Sequence, residues 1–120
     1  MSKIEFDDEE KLREFLRKCW RSDPWWDEEI IEHERAHFDK AKELGYNPRY
    51  LVEYIQGTNH EDDGIYQFIQ AFVKHSSVSD KDLLAICLAP KDLSKGDIRI
   101  AKRLGWKPEE NNYVLDGSLK

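Results

Sequence analysis

The run from Asp23 to Gly45, DPWWDEEIIEHERAHFDKAKELG, decides how this chain is read. Asp23 is a good N-cap and Pro24 suits the first helical position, where a missing N–H costs nothing. Asp27, Glu28 and Glu29 favour the positive end of the helix dipole. Leu44 ends the helix, Gly45 supplies a left-handed cap and Pro48 lies just beyond. Trp26, Ile30, His33, His37, Ala41 and Leu44 fall within one narrow arc at helical spacing, so the histidines are expected in the middle of the apolar stripe, with Glu34 at its edge. Within this helix His33-Glu34-Arg35-Ala36-His37 is an H-E-x-x-H pentad. Two histidines four apart stand one turn above each other and can hold one zinc ion between them, with the glutamate beside it as general base.

The flanking segments predict an α+β domain. Asp7 or Asp8 caps a first helix whose Leu12, Phe15, Leu16, Cys19 and Trp20 form one stripe, with Glu10, Arg13, Glu14, Arg17 and Lys18 on the wet face. After Gly45 the period changes. Arg49 to Gln56 and Ile65 to Lys74 are rich in β-branched and aromatic residues. They flank a polar segment, Gly57 to Gly64, and are read as two strands of an antiparallel hairpin. Ile65, Phe68, Ile69 and Phe72 also fit helical spacing, and that alternative stands for the second run. Ser79-Asp80 caps a short helix with Leu83, Leu84, Ile86, Cys87 and Leu88 that Pro90 ends. Ser94-Lys-Gly-Asp97 resembles a capping box, with Asp in place of the usual Glu or Gln. It opens a last helix through Ile98, Ile100, Ala101 and Leu104 to Gly105. The expected organisation is one domain over 1–120, with a core over 1–106 and a polar tail over 107–120. Two N-terminal and two C-terminal helices pack around the hairpin.

Composition narrows the function classes. The chain has 120 residues and a net charge of −6, a poor balance for binding phosphate backbones, so nucleic acid is not expected as a partner. Its fourteen aromatic residues are spread along the chain and argue against disorder. Cys19 and Cys87 stand alone among apolar residues and read as buried thiols of a reducing compartment. No apolar run is long enough to span a membrane, and the N-terminus is polar and acidic, so a cytoplasmic location without membrane association is expected.

His33, Glu34 and His37, with the helix around them, resemble the active-site helix of the zincin metallopeptidases, and the small size is similar to that of compact minigluzincin-type members. The resemblance covers this helix alone. It implies that His33 and His37 bind zinc and that Glu34 activates water for attack on a peptide carbonyl. Arg35 occupies a position that is normally uncharged in that group, and Asp39 one that is normally apolar. No metzincin continuation follows, and no glutamate-bearing helix further along is evident. A catalytic zinc needs a third protein ligand. The candidates are His60 in the turn, His75 at the end of the second strand run, Asp80 and Asp82 at the start of the third helix, and Glu53. Tyr46, Tyr50 and Tyr54 could offer a phenol to a developing charge, though strand tyrosines more often pack, as Trp25 and Trp26 are expected to do. The leading expectation is a small zinc-dependent hydrolase acting on a peptide or protein. The alternative is a noncatalytic domain working through protein contacts.

Overall fold

The protein is described by a computed structural model over residues 1–19, 22–56 and 66–107. Along the chain the elements are β1 (Ser2–Phe6), α1 (Glu9–Leu16), α2 (Pro24–Glu43), β2 (Arg49–Gln56), β3 (Tyr66–Lys74), α3 (Asp80–Cys87) and α4 (Lys95–Arg103). The architecture is α+β: four helices and a three-stranded antiparallel sheet in the order β1-β2-β3.

The helix boundaries follow from capping chemistry. Asp8, Asp23, Ser79 and Ser94 each accept a backbone N–H from the first turn of the helix they precede. Ser94 and Asp97 complete the capping box reciprocally. Gly45 and Gly105 take φ of +96° and +97° just beyond α2 and α4, a conformation that side chains with a Cβ resist.

Three features depart from the sequence expectation. The hairpin has a third strand: β1 pairs along β2, with Ile4 opposite Val52 and Phe6 opposite Tyr50. The first helix stops at Leu16, and Cys19 enters the core from a turn and forms an isolated bridge to Tyr66. The buried line of α2 runs through Asp27, Ile31, Glu34, His37 and Ala41: His37 and Ala41 are buried as expected, but the N-terminal half is one residue round from the expected arc. Trp26, Ile30 and His33 are only half-buried, and Trp25 is 72% exposed rather than packed. The rotation arises because α2 is covered on two sides. Ile31 and Phe38 face α1 and the sheet, while His37 faces α3. His60, Trp20, Ile65 and the tail beyond residue 107 lie outside the described residues.

The main core lies between the inner sheet face and the first two helices. Leu12, Leu16, Ile31 and Val52 are fully buried, each stabilising by about 1.5–3 kcal/mol. Phe15 packs among Phe6, Tyr54 and Tyr66, and Phe38 stacks on Tyr50 at 4.4 Å. A second, smaller core gathers Leu93, Ala101 and Trp106 with Leu84, Leu88 and Ile98 between α3 and α4. Helix α2 belongs to the main core and packs against α3, which belongs to the smaller one.

Candidate metal centre

The pentad occupies the middle of α2, where helical spacing brings the rings of His33 and His37 to 5.0 Å. Their Nε2 atoms converge on one carboxylate, that of Asp97 in the first turn of α4. His33 Nε2 lies 3.0 Å from Oδ2 and His37 Nε2 lies 3.1 Å from Oδ1. Arg35, the unusual residue inside the pentad, points away and binds Glu9 of α1 through Nε and Nη2 at 2.7 and 2.8 Å. It ties the two helices together and leaves the histidine side open.

The tautomer of His37 follows from its other neighbour. Its Nδ1 is 2.7 Å from the Ile86 carbonyl oxygen, which only accepts, so Nδ1 carries a proton and donates it. In a neutral ring Nε2 then offers only a lone pair, and the carboxylate facing it at 3.1 Å offers only lone pairs. A cation must lie between them: a proton, which makes His37 an imidazolium, or a metal ion. The titration trends agree. Burial alone would depress the His37 pKa, but the hydrogen bond and charge of Asp97 outweigh it and raise the group above its ordinary value. Burial would raise Asp97, but the hydrogen bonds from His33 and His37 outweigh that and hold its carboxyl well below the usual range.

Glu34 sits beside this cluster and is only 8% exposed. Its Oε1 is buried with no hydrogen-bond partner, and burial pushes its pKa up to about 7 against the weaker pull of the neighbouring histidines. A buried carboxylate oxygen without a partner is costly and needs a reason.

The ligand atoms of His33, His37 and Asp97 all lie within 4.8 Å of one another, and they are the one such set of three among the described residues. A tetrahedral ion with bonds of about 2.0–2.1 Å places its ligand atoms roughly 3.3 Å apart; each histidine already lies close to that distance from one carboxylate oxygen, His33 from Oδ2 and His37 from Oδ1, so a small rotation of Asp97 would bring a single oxygen to both. Two imidazoles and one carboxylate fill three positions of such an ion and leave the fourth open. The residues present could therefore hold a metal ion.

None of the described sequence candidates for the third ligand joins this group. Glu53 is on β2, on the sheet face away from the helices, where it accepts from Gln70 and lies 3.7 Å from Lys3. Asp80 is exposed, and Asp82 accepts from the Tyr46 hydroxyl at 2.5 Å. His75 lines the same cleft, but its Nδ1 is engaged with the Ser76 carbonyl. Tyr50 and Tyr54 are packing residues of the core. Asp97 was visible in the sequence only as a capping residue. It performs both tasks at once, since Oδ2 also accepts the Ser94 backbone N–H at 3.1 Å.

The cluster opens into a cleft of about 520 Å³ between α2, β3, α3 and the start of α4. Gln70 to Val73 form one wall, and β3 is the sheet's edge strand. A smaller groove of about 310 Å³ adjoins it, sharing His33, Glu34, Gln70 and Ala71, and is walled by Ile30, Phe68 and Ile69. Ile69 has no pairing partner on β2, because the register shifts by one there, and this bulge turns its side chain outward. Among the described residues no lysine or arginine lines either space. Cys87 also lines the cleft, but it is buried and its thiol is pushed up to about 11, so it is a poor nucleophile or ligand. No helix among the described residues is long and apolar enough to cross a membrane. No protein-family model matches the chain, and no solved structure matches it.

Proposed function

We propose that this chain is a small metal-dependent hydrolase, with zinc as the metal and an internal peptide bond as its target. The observation that carries this is the unpartnered buried oxygen of Glu34, set beside three convergent ligands at the floor of an open cleft. A structural site would need neither the cleft nor the orphaned carboxylate.

His33, His37 and Asp97 would hold the ion, and the Ile86 carbonyl would fix the His37 ring. Zinc bound there supplies a Lewis acid that acidifies water and polarises a carbonyl. Glu34, buried beside the three ligands with Oε1 unpartnered, suits a group that takes a proton from attacking water at Oε1 and returns it to the leaving amine. The peptide class is supported by the edge of β3. Beyond Tyr66 its outer backbone groups have no strand neighbour among the described residues, so an extended chain can add to it by main-chain hydrogen bonds along Gln70 to Val73. Among the described residues no lysine or arginine of the lining offers a counter-ion to a terminal carboxylate, which is in keeping with an internal bond. The pentad helix beneath a sheet edge is consistent with a reduced zincin-like plan.

The test is metal content by plasma mass spectrometry on tag-free protein, followed by mass-spectrometric detection of cleavage in an unstructured protein substrate. Near-stoichiometric zinc in the wild type, its loss in His37→Ala, and retained zinc without turnover in Glu34→Gln are expected. Cleavage by zinc-loaded Glu34→Gln at the wild-type rate would remove Glu34 from the chemistry. A zinc-loaded wild type that cleaves nothing would leave a noncatalytic binding domain. No metal after zinc is supplied would leave a proton-sharing histidine–aspartate cluster.

A further inference from the structure

The geometry points to Ser94 as the positioning residue of the third ligand, so that the bonds that start α4 also hold the Asp97 carboxylate in place for the metal site. This rests on the metal reading above. Asp97 is the third helical residue of α4, and its carboxylate is held from two directions. From the site, His33 and His37 approach it at 3.0 and 3.1 Å. From behind, the Ser94 N–H donates to Oδ2 at 3.1 Å, while the Ser94 Oγ accepts the Asp97 backbone N–H at 3.0 Å. The pair of reciprocal bonds fixes both the backbone and the rotamer of Asp97, the same turn that fixes the start of the helix. A carboxylate left to swing would lose alignment with both imidazoles.

The placement of α4 makes this coupling consequential. Its apolar side packs on α3 in the smaller core, not on the sheet. It meets α2 through Asp97, and α3 meets α2 through the Ile86 carbonyl on His37. The three ligands thus bridge the two cores, and a frayed first turn of α4 withdraws the carboxylate while leaving the main core intact.

A matched control exists in the same chain. Ser79 caps α3 with the same kind of bond, its Oγ accepting the Asp82 N–H at 3.2 Å. Asp82, however, binds Tyr46 and takes no part in the cluster. Zinc affinity of the full chain would be measured by competition with a chromophoric chelator, for wild type, Ser94→Ala, Ser94→Gly, Ser94→Thr and Ser79→Ala. Ser94→Ala keeps the backbone N–H on Oδ2 but loses the Oγ that fixes the Asp97 backbone, and should weaken zinc binding by about fivefold, the cost of a lost N-cap. Ser94→Thr should restore most of it, since threonine also caps. Ser79→Ala should lower the unfolding midpoint about as much as Ser94→Ala and leave zinc affinity unchanged. Ser94→Gly guards against a folding failure: glycine costs an N-cap only a few tenths of a kcal/mol, yet lacks the hydroxyl, so it too should bind zinc more weakly. Wild-type affinity in both Ser94→Ala and Ser94→Gly, or an equal loss in Ser79→Ala, would overturn the positioning role while leaving the metal reading intact. A wild type that binds no zinc would overturn both.

Discussion

Glu34→Gln should change the stability of the metal-free protein in a way that depends on pH. The Glu34 carboxyl is buried, and its pKa rises from 4.5 in the unfolded chain to about 7 in the fold. An acid that holds its proton more tightly when folded is destabilised by ionisation. The penalty is absent below the unfolded pKa, grows as pH rises from about 4.5 to about 7, and is then constant at roughly 3 kcal/mol. Glutamine cannot ionise, so this loss disappears in the variant. Its amide has unmet hydrogen bonds of its own in the same place, worth about 1–3 kcal/mol, but that cost does not vary with pH. The stability of Glu34→Gln relative to wild type should therefore improve by about 3 kcal/mol between pH 4.5 and pH 8. The His37–Asp97 pair is present in both proteins and largely cancels. Urea unfolding of chelator-treated protein, followed by tryptophan fluorescence across that range, measures the difference. Parallel stability curves for the two proteins would refute a buried, desolvated Glu34 in the metal-free protein.

Other consequences can be checked on the same material. Asp97→Asn keeps the shape of the side chain but removes the charge that balances the imidazoles, so zinc affinity should fall by more than about a hundredfold, beyond the range of an orienting neighbour, in chelator competition. Zinc must displace the proton of His37, whose pKa is raised, so affinity should fall by about tenfold per pH unit once the pH drops below that value. Asp97 should not compete for protons there, because its own carboxyl is held low. In the metal-free protein the raised His37 contributes stability that is full below its unfolded pKa and is lost as pH rises through the folded one, which the urea series on Asp97→Asn would remove. Ile31→Ala empties a fully buried position between α2 and the main core and should cost about 2–5 kcal/mol in urea unfolding, with zinc binding retained in whatever fraction remains folded.

What the chain determines by itself is local. Asp23-Pro24, Ser79 and Ser94 mark helix starts because their hydroxyl or carboxylate satisfies N–H groups within one turn. Gly45 and Gly105 mark helix ends because the backbone there needs a positive φ. The pentad was legible for the same reason, since His33 and His37 are neighbours by helix geometry alone. What depended on distant parts of the chain was not legible. Ser2–Phe6 is short and half polar, and it is a strand because β2 offers an edge to pair with. Periodicity gave α2 an apolar arc but not its rotation, which is set by the layers on either side of it; that is why Glu34, expected at the edge, is buried and His33 is not. The third ligand is the clearest case. Asp97 carries an unmistakable capping signal and no sign of a metal, because its second task exists only once α3 and α4 fold back over α2 and bring a helix start against two imidazoles. Short-range hydrogen bonds and spacing write the elements and half of the site into the sequence, whereas the convergence that completes the site depends on packing between segments far apart along the chain.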